Sequence, residues 1–251
     1  MGYFQFNRTV VMFAFKSILF LYFLGLHIIL LFIFLKPEIA LFINTQIYDR
    51  HQEVTFGDHY NQMVLFHNRV DKNVPQGVVA FVGDSITQGL AVSAVAPLAV
   101  NFGIGGDTTE GVLRRIDSLD SLKRSSIVVL AIGVNDLKHR SDAEIVSSYN
   151  KILHAMHNYP SVLVSAILPV DEKVFQSQGY NTRIAVLNKQ ILNACFDYEN
   201  CSFLDVGDKL LNGAGQLDSN YHIGDGLHLN PEGYDVWIEG LKSALVGISK
   251  P

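Results

Sequence analysis

The sequence has few cysteines and no excess of basic residues. Its two cysteines, Cys195 and Cys201, form no Cys-x-x-Cys pair, so a zinc site has little support. Residues 1–36 contain three of the 19 basic residues and none of the 24 acidic ones, which leaves 16 basic and 24 acidic residues, a net charge of −8, in the rest of the chain. An acidic domain without a basic stripe is a poor nucleic-acid binder, so we predict no nucleic-acid partner. The chain also lacks internal repeats and low-complexity tracts, and its 251 residues suit one domain with an appendage.

A long apolar run occupies residues 17–35, where the only possible charge is that of His27. A helix of this length spans about 28 Å at ~1.5 Å per residue, close to the ~30 Å of bilayer hydrocarbon. The run is longer than the apolar region of a usual signal peptide, and no clear A-x-A-like cleavage site follows it. We therefore predict an uncleaved signal-anchor transmembrane helix, with a buried core helix or a cleaved signal peptide as alternatives.

The flanks of this run predict its orientation and the division of the chain. Arg8 and Lys16 precede it without an acidic residue, so the positive-inside rule puts the N-terminus in the cytoplasm and the remaining chain outside it, in the periplasm if the cell is Gram-negative. The predicted parts are a stub with the anchor (1–36), a juxtamembrane connector that becomes helical around 52–70 (37–75), and a globular domain (76–251).

The extracytoplasmic placement permits a disulfide between Cys195 and Cys201. Closing so short a loop would contribute roughly 2 kcal/mol in the entropic description. Two reduced structural cysteines are the alternative, and we favour the disulfide only if the placement holds.

After Pro75 the sequence alternates between apolar runs and helical patterns. The predicted strands are 78–83, 98–104, 126–133, 161–168 and 201–206, and the predicted helices are 108–119, 141–157, 182–196 and 230–245. Near-continuous apolar strands are typical of a parallel sheet that is covered on both faces. The pattern therefore predicts an open three-layer α/β domain whose functional loops lie at the carboxyl ends of the strands.

Four polar stretches fall in these loops. Ser85 follows the first strand, GIGGDTT (103–109) the second and GVND (133–136) the third, while DGLH (225–228) precedes the last helix. Alone, each stretch is a turn or a helix cap. Because the loops share one edge of the predicted sheet, residues far apart in the sequence can meet there.

Ester hydrolysis needs a hydroxyl nucleophile, a base, a group that orients the base, and donors for the oxyanion. Ser85 at a helix start can be the nucleophile, and His228 is a natural base. Asp225, three residues earlier, can orient that base from the same loop. Backbone N–H groups of the Gly pair 105–106 and the side chain of Asn135 are candidate oxyanion donors.

Two other features could belong to the site. His222 is a rival base, although position 219, three residues before it, is Ser rather than Asp. The segment between Pro169 and Asn181 is a long loop near the same edge, and its aromatic residues Phe175 and Tyr180 could line a substrate pocket.

The four stretches, VGDSIT, NFGIGGDTT, GVND and DGLHLNPEGY, resemble the sequence blocks of the SGNH (GDSL-type) serine hydrolase family, most closely its platelet-activating-factor acetylhydrolase-like members, including bacterial ones. The resemblance implies that Ser85 is the nucleophile and that Asp225 and His228 complete a triad. It also implies an oxyanion hole formed by the Ser85 backbone N–H, Gly106 and Asn135.

The same resemblance covers about residues 76–247 and implies a flavodoxin-like α/β/α sandwich with five parallel strands and no metal or organic cofactor. It does not cover the apolar run or residues 37–75. The second residue after Ser85 is Thr87, which departs from the G-x-S-x-G elbow of the α/β-hydrolases.

These features together predict a membrane-anchored serine esterase that acts on short acyl or acetyl esters of a glycan or lipid through an acyl-serine intermediate. A lysophospholipase or thioesterase acting on lipids is one alternative. Acyl transfer to a sugar would use the same intermediate and stays open. A non-catalytic anchored domain that binds glycan or lipid is the alternative outside enzymes.

Overall fold

The computed structural model describes residues 16–25, 27 and 56–248 of the chain. The chain forms two compact units, Met1–Glu53 and Val54–Pro251. In the first unit, the described residues 16–25 and 27 are helical. The α/β elements described below all belong to the second unit.

The predicted transmembrane helix over residues 17–35 is wrong. Within the described residues, none of the helices combines the length and the apolar character needed to cross a membrane. The continuous helical stretch described there, 16–25, would extend about 15 Å, half of the ~30 Å of bilayer hydrocarbon, while residues 26 and 28–35 lie outside the described part. The anchored fold, the signal anchor and the placement of the domain outside the cytoplasm all depended on that span and are corrected with it.

The predicted five-stranded parallel sheet is confirmed. Its strands are β1 (Val79–Gly83), β2 (Ala99–Gly103), β3 (Ile127–Ala131), β4 (Val162–Ser165) and β5 (Cys201–Leu204). They are ordered β2-β1-β3-β4-β5 and all neighbours run parallel, which is the flavodoxin-like order. The order reverses at β1, so the crevice for a ligand is expected outside the carboxyl ends of β1 and its neighbours.

Helices cover both faces of this sheet. They are α1 (Asp58–Asp71), α2 (Ser85–Gln88), α3 (Thr109–Arg115), α4 (Asp120–Lys123), α5 (Asp142–Ala155), α6 (Tyr180–Phe196), α7 (Gly207–Leu210) and α8 (Pro231–Ile248). α5 packs against α3 and α6, while α6 and α8 both contact β5. All residues of β1 are buried, as expected for a strand that is covered on its two faces.

α1 overlaps the helix predicted within the connector 37–75, although residues 37–55 lie outside the described part of the chain. The carboxylate of Asp71 accepts hydrogen bonds from the backbone N–H groups of Asp120 (3.1 Å) and Ser121 (2.9 Å), at the start of α4. Asp71 therefore caps a second helix and holds α1 against the α/β domain. The exact domain boundaries stay a prediction.

Cys195 and Cys201 are joined by a disulfide in the structure, with their Cα atoms 5.4 Å apart. Cys195 lies near the end of α6 and Cys201 is the first residue of β5. The short connection from helix to strand brings the two side chains together, a geometric reason that does not depend on the corrected localisation.

Candidate active site

The turn after β1, residues 83–89, carries Ser85 and is named here the Ser85 turn. Asp84 caps α2 because its Oδ1 accepts a hydrogen bond from the backbone N–H of Ile86 (3.0 Å). Ser85 itself is partly exposed, whereas Asp84 and Ile86 are buried. The cap therefore presents the Ser85 hydroxyl at the surface, between two buried residues.

Close packing against the neighbouring strands holds the Ser85 turn in place. A Cβ atom added to Gly83 would lie 2.1 Å from the carbonyl oxygen of Ala131 in β3 and 2.1 Å from Oγ1 of Thr87. A Cβ atom added to Gly103 in β2 would lie 2.3 Å from the backbone nitrogen of Gln88. Glycine is required at both positions because the backbones approach too closely for any side chain.

A second loop, residues 221–230, carries Asp225 and His228 and is named here the 221–230 loop. Its two sides are joined by backbone hydrogen bonds from Ile223 N–H to the His228 carbonyl (2.9 Å) and from Asn230 N–H to the Tyr221 carbonyl (3.0 Å). At its tip, Asp225 Oδ1 accepts hydrogen bonds from the N–H groups of Leu227 (3.0 Å) and His228 (2.9 Å). The carboxylate is thereby held in an Asx turn, which fixes the direction of its second oxygen.

The two parts meet in a continuous chain of hydrogen bonds. His228 Nδ1 lies 2.5 Å from Asp225 Oδ2, and His228 Nε2 lies 2.9 Å from Ser85 Oγ. Because Nδ1–H donates to the carboxylate, the lone pair of Nε2 accepts the Ser85 hydroxyl proton. The phenol of Tyr234 in α8 also donates to the Ile86 carbonyl (2.8 Å), so α8 contacts the Ser85 turn directly.

The environment of Asp225 favours its ionised form. Partial burial raises the pKa of this carboxyl, but hydrogen bonds from the His228 ring and from the Leu227 and His228 N–H groups outweigh it, so the pKa lies below its usual value. An ionised Asp225 can orient the His228 ring and stabilise an imidazolium there.

The loops after β2 and β3 lie beside the Ser85 turn. Gln88 Oε1 accepts a hydrogen bond from the backbone N–H of Gly105 (2.6 Å), and Asn135 Nδ2 donates to the carbonyl of Asp107 (3.0 Å). Gly106, between them, has a positive φ of 76° with open space where a side chain would be. The predicted oxyanion donors are thus tied to the Ser85 turn through a series of hydrogen bonds, and their role as donors stays a prediction.

Buried ion pairs hold the loops after β2 and β3 in place. Arg115 in α3 donates to Asp107 Oδ2 through Nε (2.9 Å) and to the Gly83 carbonyl through Nη2 (3.2 Å). Burial raises the pKa of Asp107 to about 6, against the opposing effect of the Arg115 guanidinium. Arg115 thus joins the loop after β2 to the end of β1.

Asp136 supports the loop after β3 in the same way. Its carboxylate accepts hydrogen bonds from the Thr109 N–H (3.0 Å) and hydroxyl (2.6 Å) and from Arg140 Nη1 (3.0 Å). Burial raises the pKa of Asp136, against these favourable contacts. Sequence reasoning missed Gln88 and Arg115 as supports. The signal for Arg115 was a charged residue three positions after Val112, on the apolar face of a predicted helix.

His222, the alternative candidate for the base, makes its hydrogen bonds within the 221–230 loop and not with Ser85. Its Nδ1 accepts hydrogen bonds from the backbone N–H groups of Gly224 (3.0 Å) and Gly226 (3.1 Å). Its Nε2 lies 3.9 Å from Asp171 Oδ2. His222 therefore uses its acceptor nitrogen inside the loop, and His228 is the histidine that contacts Ser85.

The segment between Pro169 and Asn181 borders the 221–230 loop. The backbone N–H of Asp171 donates to the Gly226 carbonyl (2.8 Å). The ring of Phe175 packs edge-on against Tyr180, with centroids 6.3 Å apart, and the Lys138 ammonium lies 4.9 Å from its centroid. Contact of Phe175 or Tyr180 with a substrate stays a prediction.

Similarity to known proteins agrees with this geometry. The model of the GDSL-like Lipase/Acylhydrolase family matches residues 81–236. Platelet-activating factor acetylhydrolase IB subunit alpha2 of Rattus norvegicus is 30% identical over 182 residues, which cover 67% of this chain and 76% of that protein. Subunit alpha1 from the same organism is 28% identical over 195 residues, covering 73% of this chain and 82% of that protein.

A solved structure supports the fold as well. A Streptococcus pneumonia protein whose name refers to platelet activating factor has a TM-score of 0.69 and 27% identity, and the match covers 74% of this chain and 92% of that one. The predicted family resemblance is confirmed, and with it the prediction of an enzyme rather than a binding domain. The chain belongs to the GDSL-like lipase/acylhydrolase family and is a hydrolase that acts on ester bonds.

Proposed function

We propose that this protein hydrolyses carboxylic esters with Ser85 as its nucleophile, His228 as its acid and base, and Asp225 as the residue that orients His228. The observation that carries the proposal is the hydrogen-bond chain of 2.9 Å from Ser85 Oγ to His228 Nε2 and 2.5 Å from His228 Nδ1 to Asp225 Oδ2. It supplies the nucleophile, the base and the orienting carboxylate that acyl transfer requires.

The first half of the reaction forms an acyl enzyme. Ser85 Oγ attacks the ester carbonyl carbon while its proton passes to His228 Nε2. The tetrahedral intermediate then breaks its bond to the alcohol oxygen, which takes that proton from Nε2 and leaves as the alcohol. Asp225, which is ionised at neutral pH, stabilises the imidazolium that exists between these two transfers.

The second half releases the acid. A water molecule attacks the acyl-Ser85 carbonyl and gives a proton to His228 Nε2, and the collapse of the second tetrahedral intermediate returns that proton to Ser85 Oγ. The partly exposed Asp225 and His228 side chains, 41% and 37% accessible, leave room for water to approach.

We propose the Ser85 N–H, the Gly106 N–H and the Asn135 side chain as donors to the oxyanion. Asn135 Nδ2 carries two hydrogens, and donation of one to the Asp107 carbonyl fixes the amide and leaves the second for a ligand. The positive φ of Gly106 turns its peptide in a way that other residues rarely adopt. Donors fixed before the reaction stabilise the developing charge without reorganisation.

The proposed substrates are short acyl esters, acetyl esters first, with a glycan or a lipid as the alcohol part. This proposal is supported by the relatives at 28% and 30% identity, which are named platelet-activating factor acetylhydrolase subunits. Hydrolysis of long-chain lipid esters or thioesters is the competing specificity. Rates on p-nitrophenyl esters from acetate to palmitate separate the two, because an acetyl-ester hydrolase loses kcat/KM as the acyl chain lengthens.

The test of the mechanism is Ser85→Ala, assayed with p-nitrophenyl acetate and with a fluorophosphonate probe that labels activated serines. We expect kcat to fall at least about a thousandfold, since removal of a triad member leaves only binding and oxyanion stabilisation. Labelling of the wild type should disappear in the variant, and thermal unfolding should be unchanged. Ser93→Ala, at an exposed serine after the same strand, is the matched control. Retained hydrolysis or labelling in folded Ser85→Ala would refute the assignment.

A further inference from the structure

We infer that His222 is a positioning residue for the triad: its Nδ1 holds the 221–230 loop in the one conformation that directs Asp225 at His228. The inference rests on the proposed function, since it assigns a task relative to the Ser85–His228–Asp225 chain. The ring nitrogens of His222 face Gly224, Gly226 and Asp171, so it would act on the triad through the backbone that flanks Asp225.

The first observation is the pair of hydrogen bonds to Nδ1. The N–H groups of Gly224 (3.0 Å) and Gly226 (3.1 Å) both donate to it, and these two residues flank Asp225. Both glycines have positive φ, 102° and 75°, a backbone conformation that glycine adopts readily and other residues rarely do. One nitrogen atom thus fixes the backbone on each side of the orienting carboxylate.

The second observation is the burial of His222 between two loops. The residue is 7% exposed, and its ring lies next to Asp171, with Nε2 3.9 Å from Oδ2. Asp171 in turn accepts through Oδ1 from the N–H groups of Lys173 and Val174, both at 3.1 Å. Asp171 also donates its own N–H to the Gly226 carbonyl (2.8 Å). Gly226 is therefore held from both sides, by His222 and by Asp171.

These contacts define which tautomer of the His222 imidazole can accept both N–H groups. A nitrogen that accepts two N–H groups carries a lone pair, so the ring is neutral and its proton is on Nε2, toward the Asp171 carboxylate. To bind the Gly224 and Gly226 N–H groups, a side chain at position 222 needs an acceptor atom where Nδ1 lies. The proton on Nε2 matters less for this role. This requirement can be tested by choosing where the acceptor is placed.

Substitution by Asn or by Gln places the acceptor at two different positions. The Oδ1 atom of Asn is as many bonds from Cα as Nδ1 of His, whereas Oε1 of Gln corresponds to Nε2. His222→Asn therefore keeps the acceptor for Gly224 and Gly226, and His222→Gln moves it toward Asp171. The two variants differ by a single methylene group, so each is the control for the other.

The experiment measures kcat, KM and the pH profile of kcat/KM on p-nitrophenyl acetate for the wild type and both variants. We expect His222→Asn to stay within about threefold of the wild type. We expect His222→Gln to lose about 10- to 100-fold in kcat with KM little changed, because a misplacement of about 1 Å in the catalytic groups costs up to that much. Its acidic limb should move to lower pH, since an imidazolium that loses its carboxylate partner gives up its proton more readily.

A merely structural role would not move that limb. His67→Gln provides the comparison, since His67 is another buried histidine, 3% exposed, in α1. It should lower the unfolding temperature without moving the pH profile.

Folded His222→Gln with the wild-type kcat and profile would overturn the inference, as would an equal loss in both His222 variants. If His222→Gln fails to fold, His222→Asn decides alone, and a tenfold lower kcat in that folded variant overturns the inference. A wild type that neither hydrolyses the ester nor labels with fluorophosphonate refutes the proposed function instead.

Discussion

The Ser85 turn and the 221–230 loop face each other across one hydrogen bond, but different forces hold them. In the Ser85 turn, the backbones around Gly83 and Gly103 pack so closely that an added Cβ atom would lie within 2.3 Å of its neighbours. In the 221–230 loop, side-chain acceptors bind backbone N–H groups one by one, as Asp225 and His222 do. Both parts contain side-chain acceptors, but the backbone approach is closer in the first, where a Cβ on Gly83 would lie 2.1 Å from the Ala131 carbonyl, than in the second, where a Cβ on Gly226 would lie 2.8 Å from the Asp171 carbonyl.

The carboxyls of the two parts show the same contrast. Asp84 is 3% exposed, and burial raises its pKa to about 7, with the nearby Asp107 and Asp136 adding to the rise and the hydrogen bond from Ile86 N–H opposing it. Asp225 is partly exposed and has a lowered pKa, because three hydrogen bonds outweigh its partial burial. Asp84 is costly to ionise, and Asp225 is stabilised as an anion.

From this difference we expect substitutions in one part to affect mainly activity and substitutions in the other to affect mainly stability. A change in the 221–230 loop removes single hydrogen bonds at a partly exposed site, so it should lower activity while the fold persists. A change in the Ser85 turn meets closely packed backbone and should lower the stability of the whole domain. The predictions below test whether the two parts respond in these two ways.

The largest effect is expected from Asp225→Asn. The Asn Oδ1 atom can still accept from the Leu227 and His228 N–H groups, so the loop keeps its shape. Its amide donates to His228 Nδ1, which forces the ring proton onto Nε2, where it can no longer accept the Ser85 proton. We expect kcat on p-nitrophenyl acetate to fall about 10⁴-fold, the size seen when an equivalent Asp is changed in a serine protease, with only a small decrease in the unfolding temperature from the loss of the ionised carboxylate.

Asp218→Asn is the matched control, because Asp218 also holds a turn by accepting a backbone N–H, that of Asn220 (2.9 Å), but does not contact the triad. It should leave kcat within about twofold of the wild type. An unfolding temperature lowered by several degrees in Asp225→Asn alone would show that this loop, too, carries the stability of the domain.

Much of this arrangement could be predicted from the sequence, for a physical reason. Strands that are buried on both faces read as apolar runs, and all five observed strands lie inside their predicted ranges. Parallel strands put their carboxyl ends at one edge, so the meeting of Ser85 with the loop of His228 followed from the order of the elements.

The remainder depended on tertiary contacts that no local pattern encodes. The approach of Gly83 to Ala131 and the hydrogen bond of Gln88 with Gly105 join segments from different strands. The two hydrogen bonds to His222 depend on the positive φ of Gly224, which GxG spacing alone does not reveal. The prediction over residues 17–35 rested on hydropathy, which measures composition alone and does not establish a membrane-spanning helix.

The next effect in size is a pH-dependent stability difference for Asp84→Asn. The folded pKa of about 7 lies above the ~4 of an unfolded Asp, so the folded state binds the Asp84 proton more tightly. The stability from this proton is complete below about pH 4 and is lost as the pH rises through 7, by about 4 kcal/mol in all. The neutral Asn, whose Oδ1 can accept from Ile86 N–H, should not show this loss.

Urea unfolding of the wild type and Asp84→Asn at pH 5 and pH 8 measures this difference. The variant should gain stability relative to the wild type between these two values. Asp225 provides the opposite sign, since its lowered pKa adds stability that is lost as the pH falls below about 4. A stability difference that is the same at both pH values would show that Asp84 is not the buried proton acceptor of the Ser85 turn.

The smallest effect is expected from Gly83→Ala, and it tests packing directly. The new Cβ atom would meet the Ala131 carbonyl and Thr87 Oγ1, both at 2.1 Å, so β3 or the Ser85 turn must move. We expect a loss of about 3 kcal/mol in the free energy of unfolding, as for overpacked cores. Gly213→Ala, where the added Cβ has no neighbour within 4 Å, should change it by less than about 0.5 kcal/mol. If both variants unfold at the wild-type urea concentration, packing does not hold the Ser85 turn, and the contrast with the 221–230 loop fails.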